Sequence, residues 1–122
     1  MMYNILVVDD EEDVQQLARI ILESEGYMVL TAGGGEEALN ILSHNKLDLV
    51  LLDVVLPSIS GLDICRQMKR DKNMRDIPVI MFTALGSGVD MMLSKQEKAD
   101  DYILKPFTRK MLLEKVERLL HR

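Results

Sequence analysis

Three aspartates in the sequence have the chemistry of a divalent-metal site. Asp9 and Asp10 are adjacent and directly follow the apolar run at residues 4–8, and Asp53 ends another apolar run. Adjacent carboxylates repel each other unless a cation lies between them, and Mg²⁺ takes oxygen ligands of this kind while keeping some of its waters. Two ordinary roles compete with this interpretation, because acidic residues stabilise the first turn of a helix and a single Asp often caps a turn. We therefore expect a Mg²⁺ site if the fold brings the three carboxylates together, since a cation makes such clustering favourable.

A hydroxyl and an ammonium would complete a site around these carboxylates. Thr83 follows the apolar run at residues 78–82, and Lys105 directly precedes Pro106. The residue before a proline is held extended, which aims the Lys105 side chain at the end of its strand. Considered singly, such a Thr is usually a turn hydroxyl and such a Lys is usually solvated. Together with Asp53 as a nucleophile, they suit phosphoryl transfer to a carboxylate, in which positioning and charge neutralisation provide most of the catalysis.

The elements that must position these side chains alternate between strand and helix. Apolar runs typical of buried strands occur at residues 4–8, 27–32, 47–52, 78–82 and 102–104. Amphipathic segments with helical spacing follow each run, and the glycines at residues 33–35 are predicted to form a turn. Successive βα units imply a parallel sheet with right-handed crossovers and helices on both faces. The carboxyl ends of the strands then meet at one rim, which brings Asp9, Asp53 and Thr83 together.

Composition excludes several classes of protein. The 122 residues carry a net charge of −5, which argues against a nucleic-acid-binding surface, and their number predicts one domain over residues 1–122. Cys65 is the only cysteine, so we expect a buried thiol and neither a disulfide nor a cysteine-based zinc site. No apolar run approaches the roughly 20 residues of a membrane span, and the N-terminus lacks the basic flank of a signal peptide. These features predict a soluble, cytoplasmic chain that binds neither nucleic acid nor membrane.

Over nearly its whole length the sequence resembles the receiver domain of two-component response regulators. The matching segments are ILVVDDEEDV at residues 5–14, EEALNIL at 36–42, DLVLLDVVLP at 48–57, Gly61, PVIMFTAL at 78–85 and ADDYILKPF at 99–107. Each segment alone is weak evidence, but an acid pair, a strand-ending Asp, a Thr and a Lys-Pro in this order are jointly specific. The resemblance implies a doubly wound α/β fold with the flavodoxin-like strand order 2-1-3-4-5, which a chemotaxis receiver also has.

The resemblance also implies a role for each carboxylate. Asp53 corresponds to the phospho-acceptor, which takes a phosphoryl group from the phosphohistidine of a sensor histidine kinase or a phosphotransfer protein. Asp10 and Asp53 correspond to side-chain ligands of Mg²⁺, Asp9 to a ligand that acts through water, and the Val55 carbonyl to a further oxygen ligand. The expected cofactor is therefore Mg²⁺.

The remaining matched residues correspond to the switch of the domain. Thr83 and Lys105 resemble the pair that contacts the phosphoryl oxygens, and Tyr102 resembles the aromatic residue that turns inward when the Thr moves. In receivers, the fourth helix, the fifth strand and the fifth helix form the output face that changes on phosphorylation. We therefore expect a phosphorylation-dependent switch that catalyses only its own phosphorylation and slow dephosphorylation, rather than an enzyme with turnover.

Four positions depart from the usual pattern of the family. Val55 and Leu85 stand two residues after the phospho-acceptor and the Thr, where polar or charged residues are frequent. Ser60 replaces an Asp that often precedes Gly61, and Lys98 replaces a Gly. None of these side chains carries the predicted chemistry. Because Val55 and Leu85 offer no hydrogen bond to an attacking water, we expect slow autodephosphorylation.

Methionines occupy positions of the output face where charges would be expected. Met92 shares a helical stripe with Val89 and Leu93 and is predicted to be buried, whereas Met91 and Met111 are predicted to be half-exposed. Methionine is common at adaptable binding surfaces. The phosphorylated form is predicted to bind a partner, or to form a homodimer, through a mainly apolar face with weak salt dependence. The alternative is that these methionines only pad the flanks of their helices.

Three other functions fit the sequence less well. A Mg²⁺-dependent phosphatase with an aspartyl-phosphate intermediate usually carries a second acid at the position of Val55. The glycines at residues 33–35 lack both the Lys-Ser/Thr sequel of a phosphate loop and the spacing of a dinucleotide-binding fold. A degenerate receiver that acts only as a binding surface would lack some of the key residues, all of which are present here.

Overall fold

Five strands alternate with five helices along the chain. The computed structural model describes residues 2–84 and 88–121, except for the side chains of residues 84 and 89–91. The elements are β1 (Asn4–Val8), α1 (Glu12–Glu23), β2 (Met28–Ala32), α2 (Gly35–His44), β3 (Leu49–Asp53), α3 (Gly61–Arg70), β4 (Val79–Ala84), α4 (Gly88–Gln96), β5 (Asp101–Lys105) and α5 (Arg109–Leu120). Within the described residues, none of these helices has the length and apolar character needed to cross a membrane.

All five strands form one parallel sheet in the order β2-β1-β3-β4-β5. The predicted doubly wound α/β fold with flavodoxin-like strand order is therefore confirmed. β3 is the central strand, flanked by β1 and β4, and β2 and β5 are the edge strands. The chain order reverses between β1 and β3, and ligands of such sheets bind beyond the carboxyl ends of the strands at this point.

Hydrophobic cores lie on both faces of the sheet. On one face, Ile5 and Val7 of β1 pack in a cluster with buried residues of α1 and α5. On the other face, Leu6 and Val8 pack with buried residues of α2 and α3. This division follows from the two-residue period of a strand, whose side chains alternate between the faces. β3 is buried at every position, as its continuous apolar sequence predicts for a strand covered on both sides.

The strands extend further into the polar residues than predicted. Asp53 is the last residue of β3, and Thr83 lies inside β4, because each still pairs with a residue of the neighbouring strand. The predicted turn at residues 33–35 is wrong at its last position, since α2 already begins at Gly35. Gly35 is buried, and a Cβ there would lie 2.9 Å from the Cβ of Ile59, so its missing side chain lets the start of α2 pack closely.

The exposure of side chains on α4 corrects one prediction. Met92 is 66% exposed and its neighbour Leu93 is 36% exposed, so the prediction that Met92 is buried is wrong. Helical spacing identifies a stripe, but a stripe is buried only where another element covers it. Met111 is 38% exposed, in agreement with its prediction, and the side chain of Met91 lies outside the described residues. Cys65 is buried as predicted.

Candidate functional site

Asp9 and Asp53 lie side by side because they end neighbouring strands. Val8 of β1 pairs with Leu52 of β3, and each aspartate is the next residue along its chain. Asp9 is fully buried, Asp53 is 6% exposed, and Asp10 is exposed in the loop that follows. One oxygen from each of the three carboxylates lies within 4.8 Å of the other two. The structure thus brings the three aspartates of the predicted metal site together.

Lys105 supplies a positive charge to this cluster. Its Nζ lies 2.7 Å from Oδ2 of Asp9 and 3.2 Å from Oδ2 of Asp53. Lys105 is the last residue of β5, and the peptide bond that joins it to Pro106 is cis. The ammonium also lies 5.9 Å from the centre of the Phe82 ring, within the range of a cation–π contact. A single cation of the chain is therefore shared by two buried carboxylates.

The electrostatics of the cluster leave an excess of negative charge. Burial raises the pKa of Asp53 from 3.8 to about 6, the charge of Asp9 adds to this effect, and Lys105 opposes it. Burial by itself would lower the pKa of Lys105, but the hydrogen bond to Asp9 and the charges of both aspartates raise it overall. Lys105 therefore stays charged, and a divalent cation would offset the charge that it leaves uncompensated.

Backbone N–H groups fix the orientation of both buried carboxylates. The N–H of Val55 donates to Oδ1 of Asp53 at 3.1 Å, and the N–H of Glu11 donates to Oδ1 of Asp9 at 2.9 Å. A cavity of about 250 Å³ opens beside them and is lined by Asp10, Glu11, Asp53, Val54, Val55 and Lys105. Carboxylates that border an open cavity fit Mg²⁺, which binds one or two carboxylates and keeps several waters.

Thr83 adds a hydroxyl at the same rim, whereas Tyr102 lies near the beginning of β5, away from the rim. Thr83 is 1% exposed, and among the described residues its Oγ1 has no hydrogen-bond partner. A buried hydroxyl without a partner is costly, so this atom fits a bound group that accepts a hydrogen bond. Tyr102 pairs with Met81, two residues before Thr83 on β4, and its half-buried ring lies 5.6 Å from Nζ of Lys115. The rim therefore gathers every predicted side chain of the site except Tyr102.

Two residues that the sequence analysis did not single out for the site also contact it. The side-chain amide of Gln15 donates to the carbonyl of Asp9 at 2.6 Å. Gly61 lies against the backbone of Asp53, where a side chain would not fit. Gly61 belongs to the family pattern and could have been singled out on that ground. A Gln on an amphipathic helix gives no comparable signal.

The structure describes three of the four positions at which the sequence departs from the family pattern. The Ser60 hydroxyl accepts a hydrogen bond from the N–H of Leu62 at 3.0 Å and caps α3, as an Asp would. Lys98 has a φ of 65°, a backbone region that glycine adopts at no steric cost. Val55 is 68% exposed at the mouth of the cavity. Leu85 lies outside the described residues.

Relatives of known sequence cover the whole chain. The response regulator receiver domain family matches residues 5–117. The alkaline phosphatase synthesis transcriptional regulatory protein PhoP of Bacillus subtilis (strain 168) is 42% identical over 118 residues, which are 97% of this chain and 48% of that protein. The DNA-binding response regulator MtrA of Mycobacterium tuberculosis (strain CDC 1551 / Oshkosh) is 39% identical over 122 residues, 100% of this chain and 52% of that protein. The chain thus spans about half the length of the curated relatives it matches.

Solved structures give the same result. A CheY-like response regulator receiver domain protein from Methanospirillum hungatei JF-1 has a TM-score of 0.90 and 32% identity, and the match covers 98% of this chain and 94% of that one. The chemotaxis response regulator CheY4 of Vibrio cholerae has a TM-score of 0.92 and 28% identity, with 98% of this chain and 100% of that chain covered. The chain belongs to the family of response regulator receiver domains, which act in phosphorylation-based signalling.

Proposed function

We propose that residues 1–122 form a receiver domain in which Asp53 accepts a phosphoryl group from the phosphohistidine of a sensor histidine kinase or a phosphotransfer protein. The observation that carries this assignment is the position of Lys105, whose Nζ lies 2.7 Å from Asp9 and 3.2 Å from Asp53 beside an open cavity. A buried nucleophile, an ammonium that neutralises charge and a free hydroxyl are the groups that phosphoryl transfer to a carboxylate needs.

The reaction divides among the residues of the site as follows. A carboxylate oxygen of Asp53 attacks phosphorus, a new O–P bond forms, and the P–N bond breaks with its electron pair returning to the histidine ring. The ammonium of Lys105 compensates the charge of the phosphoryl oxygens, and Oγ1 of Thr83 donates a hydrogen bond to one of them. The N–H of Val55 holds the Asp53 carboxylate in place before the reaction.

Mg²⁺ is the proposed cofactor of this reaction. Asp10 and Asp53 would hold it through their side chains, Asp9 through water, and Val55 through its carbonyl oxygen. When bound, the ion neutralises the charge shared by the carboxylates and the phosphoryl oxygens. The support for this ligand set is the clustering of the three carboxylates within 4.8 Å beside the cavity.

Phosphorylation is proposed to act as a signal rather than as a step of a turnover reaction. Thr83 moves towards the phosphoryl group, and Tyr102 turns inward from its half-buried position. This movement changes the face formed by α4, β5 and α5. A phosphatase is the less favoured alternative, because Val55 supplies no acid or base beside Asp53 for a second chemical step.

The phosphoryl site can be tested with a small phosphodonor. Wild-type protein, Asp53→Asn and the exposed control Asp76→Asn are incubated with acetyl phosphate and Mg²⁺, and their intact masses are measured. Wild type and Asp76→Asn should gain one phosphoryl group, and Asp53→Asn should gain none. A phosphoryl adduct on Asp53→Asn that forms at the wild-type rate would overturn the assignment. Steady hydrolysis of a phosphomonoester by the wild type would instead favour the phosphatase.

We also propose that the phosphorylated form self-associates through the face of α4, β5 and α5. Met92 and Met111 are 66% and 38% exposed on this face, while the charge of Asp101 is paired within the chain with Lys115 at 2.9 Å. An interface built on the methionines would depend weakly on salt, because its main contribution is apolar burial.

Sedimentation with and without beryllofluoride, at low and high salt, tests the self-association. A dimer that forms only with beryllofluoride and persists in high salt is expected. Met92→Lys combined with Met111→Glu should abolish it. A dimer that dissociates as salt rises would show that the interface is ionic. A dimer that survives the double substitution would show that the interface lies elsewhere.

A further inference from the structure

Gln15 connects the helix α1 to the strand end that carries the acid pair. It is half-buried, and its Nε2 donates to the carbonyl of Asp9 at 2.6 Å and to the carbonyl of Ala32 at 3.4 Å. The N–H of Asp9 donates to the same Ala32 carbonyl at 3.0 Å. One side-chain amide thus joins α1 to the carboxyl ends of both β1 and β2.

The carboxylates beside the segment that Gln15 contacts repel one another. Three carboxylates have oxygens within 4.8 Å of one another, and Lys105 is the ammonium that contacts two of them. The remaining repulsion acts to push Asp9 and Asp10 away from Asp53 whenever no further cation is bound. The start of α1 contributes no side-chain cap against this movement, because Glu11 at the N-cap makes no capping hydrogen bond.

We propose that Gln15 is a positioning residue of the phosphoryl site, which holds Asp9 and Asp10 at the separation from Asp53 that Mg²⁺ binding requires. This inference rests on the proposed function. Gln15 touches neither the ion nor the phosphoryl group and acts through the backbone of Asp9.

The neighbouring Gln16 provides a matched control. It is the same residue type on the same helix, and its side chain is exposed. Gln15→Met removes the donor but keeps the length of the side chain, and Gln16→Met makes the same change where no contact is lost. Gln15→His keeps an N–H donor at about the same reach and stays neutral at pH 8, and Gln16→His makes the same change where no contact is lost.

The measurement is the Kd for Mg²⁺ of the unphosphorylated protein, obtained by isothermal titration calorimetry, with unfolding in urea and EDTA recorded in parallel. Gln15→Met should weaken Mg²⁺ binding by about three- to thirtyfold, the range expected when a hydrogen bond behind a ligand is lost. Gln16→Met should stay within about twofold of the wild type. At pH 8, Gln15→His should bind Mg²⁺ more tightly than Gln15→Met, whereas Gln16→His and Gln16→Met should differ by less than about twofold.

Each outcome decides between the inference and a merely structural role. A Gln15→Met variant that is less stable but binds Mg²⁺ within twofold of the wild type would overturn the inference. Weakened binding that Gln15→His does not recover would show that packing, and not the donor, sets the affinity, and would overturn it as well. If the wild type itself binds no Mg²⁺, the proposed function fails, which is a different result from equal binding by wild type and variant. If Gln15→Met does not fold, Gln15→Asn, whose shorter side chain loses the contact with the Asp9 carbonyl, replaces it, with Gln16→Asn as its control.

Discussion

Gly61 at the start of α3 lies directly against the backbone of Asp53. A Cβ on Gly61 would overlap the carbonyl oxygen of Asp53 and lie 2.8 Å from its carbonyl carbon, closer than real Cβ atoms approach a backbone. The N–H of Gly61 donates to the carbonyl of Val54 at 2.9 Å. α3 therefore supports the proposed phospho-acceptor from behind, at a position where only hydrogen fits.

We expect Gly61→Ala to destabilise the protein by about 2–3 kcal/mol, because the methyl group meets backbone that cannot rotate away. Urea unfolding of the metal-free protein measures this change. Gly34→Ala is the control, since a Cβ at Gly34 meets no atom within 4 Å and its φ of −162° suits any residue. The control should change stability by less than about 1 kcal/mol. Equal effects of the two substitutions would contradict the close packing of α3 on Asp53.

We expect Asp53→Asn to stabilise the metal-free protein at neutral pH. Its pKa of about 6 in the folded state lies above the ordinary value of 3.8, so folding favours the protonated carboxyl. The ionised form therefore costs stability above about pH 6, on the order of 1–3 kcal/mol, and this cost disappears as the pH falls towards about 4. Unfolding in urea and EDTA across this range should show an advantage of Asp53→Asn that shrinks on acidification. Asp76→Asn, at an exposed position, should show no such trend, and an advantage of Asp53→Asn that is constant with pH would exclude a titrating carboxyl as its cause.

Val55 should determine how long the phosphoryl group survives. Its apolar side chain borders the cavity beside Asp53 and gives no hydrogen bond to a water that attacks phosphorus. We expect Val55→Asn to accelerate autodephosphorylation by about two- to tenfold, the effect of one added hydrogen bond. Val55→Ile changes shape without adding a donor and should leave the rate close to that of wild type. The decay of the phosphorylated protein, followed by intact mass, measures both. Leu85→Glu is expected to act in the same direction, on the basis of the sequence alone.

Lys98 should be a weak point of the fold because its φ of 65° is unfavourable for a residue with a Cβ. Relief of this strain outweighs the greater freedom that glycine gains in the unfolded chain, so Lys98→Gly should stabilise the protein by about 0.5–1 kcal/mol. Lys95→Gly, inside α4, should instead cost about 1 kcal/mol. Thermal or urea unfolding distinguishes the two. If Lys98→Gly were also destabilising, side-chain contacts of Lys98 would have to exceed the backbone strain.

Much of the fold could be predicted because apolar runs and helical stripes are local features of the sequence. The ends of β3 and β4 were harder to predict, since Asp53 and Thr83 are polar but remain paired within the sheet. The burial of helix residues was the feature that the sequence predicted least well. Leu17 lies on the apolar stripe of α1 yet is 46% exposed, and Met92 is exposed on α4, because covering depends on which element packs there.

The convergence of the acidic residues was predictable because parallel strands end at one rim, whatever the details of packing. The contacts that hold them were not. Gln15 reaches Asp9 through a hydrogen bond to a backbone carbonyl, and Gly61 meets Asp53 through the absence of a side chain. Neither contact produces a pattern along the chain, since both depend on how α1 and α3 dock on the sheet.

Asp53 and Lys105 form an ion pair, but the strands that carry them, β3 and β5, differ in burial. Asp53 ends a central strand that is buried at all five positions, whereas Lys105 ends an edge strand with one buried position, Ile103. Buried central strands open least, and edge strands exchange their amide hydrogens more readily. We therefore expect the proposed acceptor to stay fixed and displacement on phosphorylation to occur on the Lys105 side. Hydrogen exchange should accordingly stay slow in β3 and change in β5 when beryllofluoride is added.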